Sequence, residues 1–215
     1  MVGLPTASVG HRVTVVLVAR PFRQQIDAGI LDRAAALFAR HGVDQTSVQA
    51  VADAVGLSKA GLLHHFPSKD ALHEAVRAQV ETLGRGALDQ VRDLPPGAAR
   101  DHRAVEVLVD MALAHPGLVS FLLAPATQGV GVGEVDTDPA SSRAFAAFAV
   151  DPLTAERERC VRVAGALVAL AVLSLGAQQS GEAALLRPHV VATSFDALGH
   201  RCPGAHPTRS DQVEA

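Results

Sequence analysis

Apolar positions recur at helical spacing through most of this chain. Ile26, Ile30, Ala34, Leu37 and Phe38 share one side of a helix that the spacing places over 24–40, ended by Gly42. Val48, Val51, Ala52 and Val55 mark a short second helix. Thr46 and Gln49 read as its T-x-x-Q capping box, and Gly56 stops it by accepting the left-handed backbone of a tight turn. Leu57 plugs that turn into the core. Ser58 caps a third helix, Lys59 to Phe66, which Pro67 cannot continue. Ser68 caps a fourth, from near Lys69 to about Val91, with Leu72, Val76, Val80, Leu83, Leu88 and Val91 on its buried side.

The pattern continues past Leu94-Pro95-Pro96-Gly97. A helix from near Ala98 carries Val105, Leu108, Val109, Met111, Ala112 and His115, and Pro116-Gly117 stops it. Leu118 to Leu123 reads as a short helix ended by Pro125, and Pro139 to Val150 as another, with Phe145 and Phe148 inward. Thr154 to Gln178 begins with a charged turn and is then apolar on nearly every face from Val163 to Ala177. Such a segment is buried on all sides or lies in a membrane; its apolar run falls short of a span, so burial is expected. Leu185 to Leu198 is the last helix. Two such helices bury their outer faces most simply against a second copy, and Ala164, Gly165, Ala169 and Ala171 permit close approach.

Helix, glycine turn, helix over 46–72 is a helix-turn-helix, whose second helix enters the DNA major groove. The stretch carries Thr46, Ser47, Val48, Val51, Ala52, Val55, Gly56, Leu57, Ser58, Lys59, Leu62, His65, Phe66, Lys69 and Leu72 in order. It resembles the DNA-binding signature of the TetR family of transcriptional regulators, and 30–42 resembles that family's first helix. Leu63 stands where the family has a phosphate-contacting Tyr. Ala60-Gly61 replaces the usual Gly and small residue, putting a helix-weakening Gly in the reading helix. The resemblance covers about the first third of the chain. It implies an all-α fold: a three-helix DNA-binding head (21–77) on a larger helical ligand-binding and dimerisation body (78–199). It further implies a homodimer held by a four-helix bundle of the last two main helices, and an effector that shifts the helix starting at Lys69.

Composition sharpens this picture slightly. The chain of 215 residues is 48% hydrophobic but only 3% aromatic, so its core is built from Ala, Val and Leu, which suits close-packed helices. The net charge of −3 hides an asymmetry: 1–77 carries eight basic and six acidic side chains, the remainder a net −5. A mildly basic end on an acidic body fits a DNA-binding head. Two cysteines give no disulfide framework and fit a reducing cytosol, hence a cytoplasmic protein. Residues 1–20 read as a disordered tail or as the product of a start codon set too far upstream; Arg20 and Arg23 are either a basic arm or simply solvated. Residues 200–215 read as a second tail.

The candidate DNA contacts are Lys59, Gly61, Leu63, His64 and His65 on the reading helix, with Ser58 at its start. Thr46, Ser47 and Lys69 suit phosphate oxygens. Candidate ligand-pocket residues are Met111, His115, Phe121, Gln128, Phe145, Phe148 and Gln178, apolar walls with a few polar groups; ordinary core is the competing reading of each. Candidate dimer contacts are Ala164, Val168, Ala171, Leu175, Val191 and Phe195. The Gly-rich stretch 128–139 lacks the Lys-Ser or Lys-Thr of a phosphate-cradling loop. His200, Cys202 and His206 have ligand-like spacing but number only three, so no metal or cofactor is expected. The sequence therefore reads as a ligand-responsive regulator, most simply a repressor. It would bind a near-palindromic operator as a homodimer and be released by a small, mostly apolar effector. The rival is a helical small-molecule binding protein or enzyme with a vestigial helix-turn-helix, and no catalytic constellation supports it.

Overall fold

The computed structural model describes residues 14–127 and 139–200, with side chains over 24–124 and 142–200. Residues 1–13, the Gly-rich stretch with Gln128, and the Cys202–His206 pair lie outside the described residues. Among the described residues the chain is helical without strands: α1 Thr14–His41, α2 Val48–Ala54, α3 Lys59–His65, α4 Lys69–Asp89, α5 Ala98–Ala114, α6 Pro116–Thr127, α7 Pro139–Ala147, α8 Arg157–Gln179 and α9 Ala183–Ala197.

Two hydrophobic cores divide these helices. Ile30, Leu31, Ala34, Ala35 and Phe38 of α1 close over Val51, Ala52 and Leu62 of α2 and α3, and over Leu72, Val76 and Val80 on the first half of α4. The second core gathers Ala87 and Val91 at the far end of α4 with α5, α7, α8 and α9 around Val105, Val109, Phe148 and Val163. α4 thus serves both cores, as expected. α6 serves both as well, which the sequence did not suggest. Leu118 is buried in the first core and Phe121 packs on it, whereas Val119 and Leu123 belong to the second.

Several boundaries differ from those the sequence suggests. α1 begins at Thr14, so 14–20 are helical rather than part of a tail. α6 starts at Pro116, where the missing N–H costs nothing, and runs on past Pro125. α8 starts at Arg157 and is not buried all round: Val161, Val168 and Val172 are 71%, 50% and 55% exposed. By length and composition alone it is apolar enough to cross a membrane, contrary to the shorter run expected. Its opposite face, Val163, Ala166, Leu170 and Ala171, is buried in the second core.

The approach of α6 to α1 depends on one glycine. A Cβ on Gly117 would overlap the backbone oxygen of Asp32. The Asp32 carboxylate accepts from Leu118 N–H at 3.0 Å and so caps α6 from a neighbouring helix. His73 of α4 fills the remaining gap, meeting Phe38 and Phe121 edge-on at 5.6 and 5.8 Å. At the other end of the molecule Asp101, only 1% exposed, accepts from Arg159 at 2.8 Å and pairs with His200 at 2.6 Å. Arg100, also buried, donates to the carbonyls of Ala146 and Ala147. Polar groups therefore tie α5 to α7, α8 and the end of α9, each with a partner, as burial requires.

Candidate nucleic-acid interface and apolar cavity

Three serines build the helix-turn-helix locally. Ser47, Ser58 and Ser68 are the N-caps of α2, α3 and α4, and each accepts from the N–H three residues on, at 3.0 Å. The expected Thr46 capping box is not formed. Thr46 is 3% exposed and donates to the Gly42 carbonyl at 2.7 Å, while Gln49 donates to Asp53. A buried hydroxyl committed to the backbone cannot also serve a phosphate, so Thr46 leaves the contact set. Gly42 and Gly56, with φ of 80° and 70°, make the turns that a side chain would strain.

α3 hangs from this frame by Leu62, which is 1% exposed. Ser58, Lys59, Ala60 and His64 face outward, and Leu63 and Gly61 are half-buried. A Cβ on Gly61 would meet Ser58 Oγ at 3.2 Å and Leu57 Cβ at 3.8 Å, so a side chain here would press on the hydroxyl that caps the helix. His65 turns back: its Nδ1 lies 2.6 Å from Asp27 Oδ1 and ties α3 to α1. Lys69 donates to the carbonyls of Val43 and Asp44 at 3.0 and 3.2 Å, stapling the α1–α2 turn to the start of α4. Its ammonium keeps one further proton for an external acceptor. Both roles went unseen in the sequence because partners 38 and 26 residues away carry no local signal.

The body holds an apolar cavity of about 180 Å³. Leu108, Met111 and Ala112 of α5 line it with Val119, Leu122 and Leu123 of α6, Ala144 and Phe145 of α7, and Leu167, Leu170 and Ala171 of α8. Of the seven expected pocket residues it includes Met111 and Phe145. His115 and Gln178 line a separate, open cleft beside α1, and the Gln178 amide donates to the Leu113 carbonyl. Phe121 belongs to the junction with α1 and α4, and Phe148 is solid core at 2% exposure. Among the described residues no polar side chain lines the cavity, and the expected His115 and Gln178 are placed elsewhere. Its alanines and leucines match the rest of the core in type, and no spacing marks them.

The dimer expectation is also redistributed. Val168 lies on the open face of α8, and Ala164 and Leu175 are half-buried at its edges. Ala171, Val191 and Phe195 are buried within their own chain. The open stripe is instead Val161, Gly165, Val168, Val172 and Gly176, with Leu185 and Ala192 on α9. Among the described residues no group of three His, Cys, Asp or Glu side chains could hold a metal.

Comparisons with known proteins agree with this geometry. Residues 30–76 match the family model described as bacterial regulatory proteins, tetR family. The chain is 34% identical over 84 residues to the HTH-type transcriptional repressor KstR2 of Rhodococcus jostii, covering 37% of this chain and 38% of that one. It is 38% identical over 71 residues to the HTH-type transcriptional regulator RutR of Escherichia coli, covering 33% and 34%. The matches thus span less than half of these relatives' length. In fold, the chain is similar to a TetR-like transcriptional regulator from Rhodococcus sp. RHA1, with a TM-score of 0.50 and 21% identity over 83% of this chain and 97% of that one. The family likeness therefore lies in residues 30–76, which match the DNA-binding part of the tetR family of bacterial regulatory proteins.

Proposed function

We propose that the chain is an effector-responsive transcriptional regulator, a repressor, that binds operator DNA as a homodimer. One observation carries this reading: α3 presents Ser58, Lys59, Ala60 and His64 outward from a helix held by Leu62, in the geometry of a groove-reading helix. Lys59 and His64 serve base edges and phosphates. The N-termini of α2 and α4, capped by Ser47 and Ser68, serve the flanking phosphates, with Lys69 beside them. Two copies joined along the open face of α8 and α9 set two reading helices for a near-palindromic site.

The apolar cavity supports a compact, uncharged, mostly apolar effector, because among the described residues no charged or hydrogen-bonding side chain lines it. The effector acts through its differential affinity for the DNA-bound and released states. Turning a mostly bound population into a mostly released one takes about 5.5 kcal/mol of that difference. α4 and α6 reach both the cavity's surroundings and the head's core, and are the route for that change. The site of action implied is the cytoplasm.

The test is a gel-shift series on DNA from the region upstream of the chain's own gene. Salt-sensitive, sequence-selective binding is the expected result. Indifference to sequence, or no binding at all, removes the reading.

A further inference from the structure

α7 stands between the apolar cavity and the helix that runs out to the head. Ala144 and Phe145 of α7 wall the cavity. The residue before them reaches across to α4, where Arg143 Nη2 donates to Glu81 Oε1 at 2.6 Å. The arginine stem lies beside Gly84 of α4, where an added methyl would touch Arg143 Cδ at 3.7 Å and Cβ at 3.8 Å. The pair is partly shielded, with Arg143 24% and Glu81 44% exposed.

Glu81 sits in the head-anchored stretch of α4, close to where the helix changes cores. Leu72, Val76 and Val80 before it and Leu83 after it pack in the head's core, and Ala87 and Leu88 belong to the body's. A displacement applied at Glu81 therefore acts on the part of the helix fixed to the head. Arg143 Nη1 is buried with no hydrogen-bond partner among the described residues, so the single bond to Glu81 is the one that orients the guanidinium there.

We propose that the Arg143–Glu81 pair is the positioning contact through which filling of the apolar cavity moves α4, and with it the DNA-binding head. The inference rests on the regulator reading above. A molecule among α5, α6, α7 and α8 displaces Ala144 and Phe145. Arg143, their neighbour on the same short helix, moves with them and carries the displacement to Glu81. The pair itself touches neither DNA nor effector.

A substitution that fills the cavity replaces the unidentified effector. Ala171→Leu adds bulk from the α8 wall, and operator affinity is measured on the full chain with the upstream duplex. The expected result is a change in operator Kd of about fivefold or more, within the usual range of allosteric coupling. In an Arg143→Gln background the same substitution changes Kd by less than about twofold, as for uncoupled sites. The charge swap Arg143→Glu with Glu81→Arg restores the response. A merely structural pair would lower the thermal transition yet leave the response intact. A full-sized response in Arg143→Gln, or none in the parent chain, overturns the inference. Should Ala171→Leu not fold, Ala112→Val fills the cavity from α5 and is read in the same way. Failure of the parent chain to bind any duplex is a different result, and it removes the regulator reading instead.

Discussion

Among the described residues two helix faces stand open, and their chemistry is opposite. α3 presents a hydroxyl, an ammonium and an imidazole; α8 and α9 present Val161, Val168, Val172 and Leu185. Water satisfies the first face, which therefore waits for a charged partner without penalty. Water does not satisfy the second, where each exposed apolar Å² costs about 25 cal/mol until it is covered. Apolar patches rimmed by polar residues mark protein–protein contacts, and this one suits a second copy through its small Gly165 and Gly176. On the function proposed above, the contrast separates the partners: the polar face meets DNA, and the apolar face a second copy.

Five experiments break or sharpen that contrast. The largest effect is expected for Val168→Arg, which sets an unpaired charge in the proposed twofold interface at a cost of about 3–5 kcal/mol. Light scattering should then show protomers, while an intact dimer would place the interface elsewhere. Gly117→Ala attacks the joint between the two regions, since its methyl would overlap the Asp32 backbone oxygen. A loss of about 3 kcal/mol in denaturant unfolding is expected from such overpacking.

On the polar face, Lys59→Ala and His64→Ala should each weaken operator binding by about 1–3 kcal/mol with the thermal transition unchanged. Equal loss on unrelated duplexes would make them phosphate contacts only. Lys69→Ala is expected to cost about 1 kcal/mol of stability through its two carbonyl bonds. It should also flatten the salt dependence of DNA binding, and stability unchanged with a flatter salt slope would restore a purely external role.

The smallest effect concerns the Asp110–Arg187 pair between α5 and α9. The hydrogen bond from Arg187 holds the Asp110 carboxyl below its usual range, against a smaller opposing effect of burial. A carboxylate lowered by folding stabilises the fold above its unfolded pKa and loses that contribution as pH falls through the folded value. The pair is partly exposed, with Arg187 35% and Asp110 53% open to solvent, so Asp110→Asn should cost under about 1 kcal/mol at neutral pH. That difference should vanish in acid unfolding curves below the carboxylate range.

Local chemistry made much of the head legible. Gly42 and Gly56 mark turns with positive φ, and Ser58 and Ser68 cap the helices expected of them. Leu62 and Phe66 point inward at the spacing that leaves Lys59 and His64 out. Thr46 was expected as cap where Ser47 serves, because adjacent hydroxyls compete for the same N–H groups and burial chooses between them.

The sequence alone determined the helical class, the helix-turn-helix and the outward residues of its reading helix. Those features depend on periodicities of three to four residues and on caps and turns that act within one turn of chain. Tertiary structure alone decided that His65 holds Asp27, that α6 is shared by two cores, that α8 leaves one side bare, and which alanines and leucines wall the cavity. In a core of Ala, Val and Leu most residues are interchangeable in type. Whether one is wall, core or open face follows from which helix crosses over it, and contacts between segments far apart in sequence leave no periodic trace along the chain.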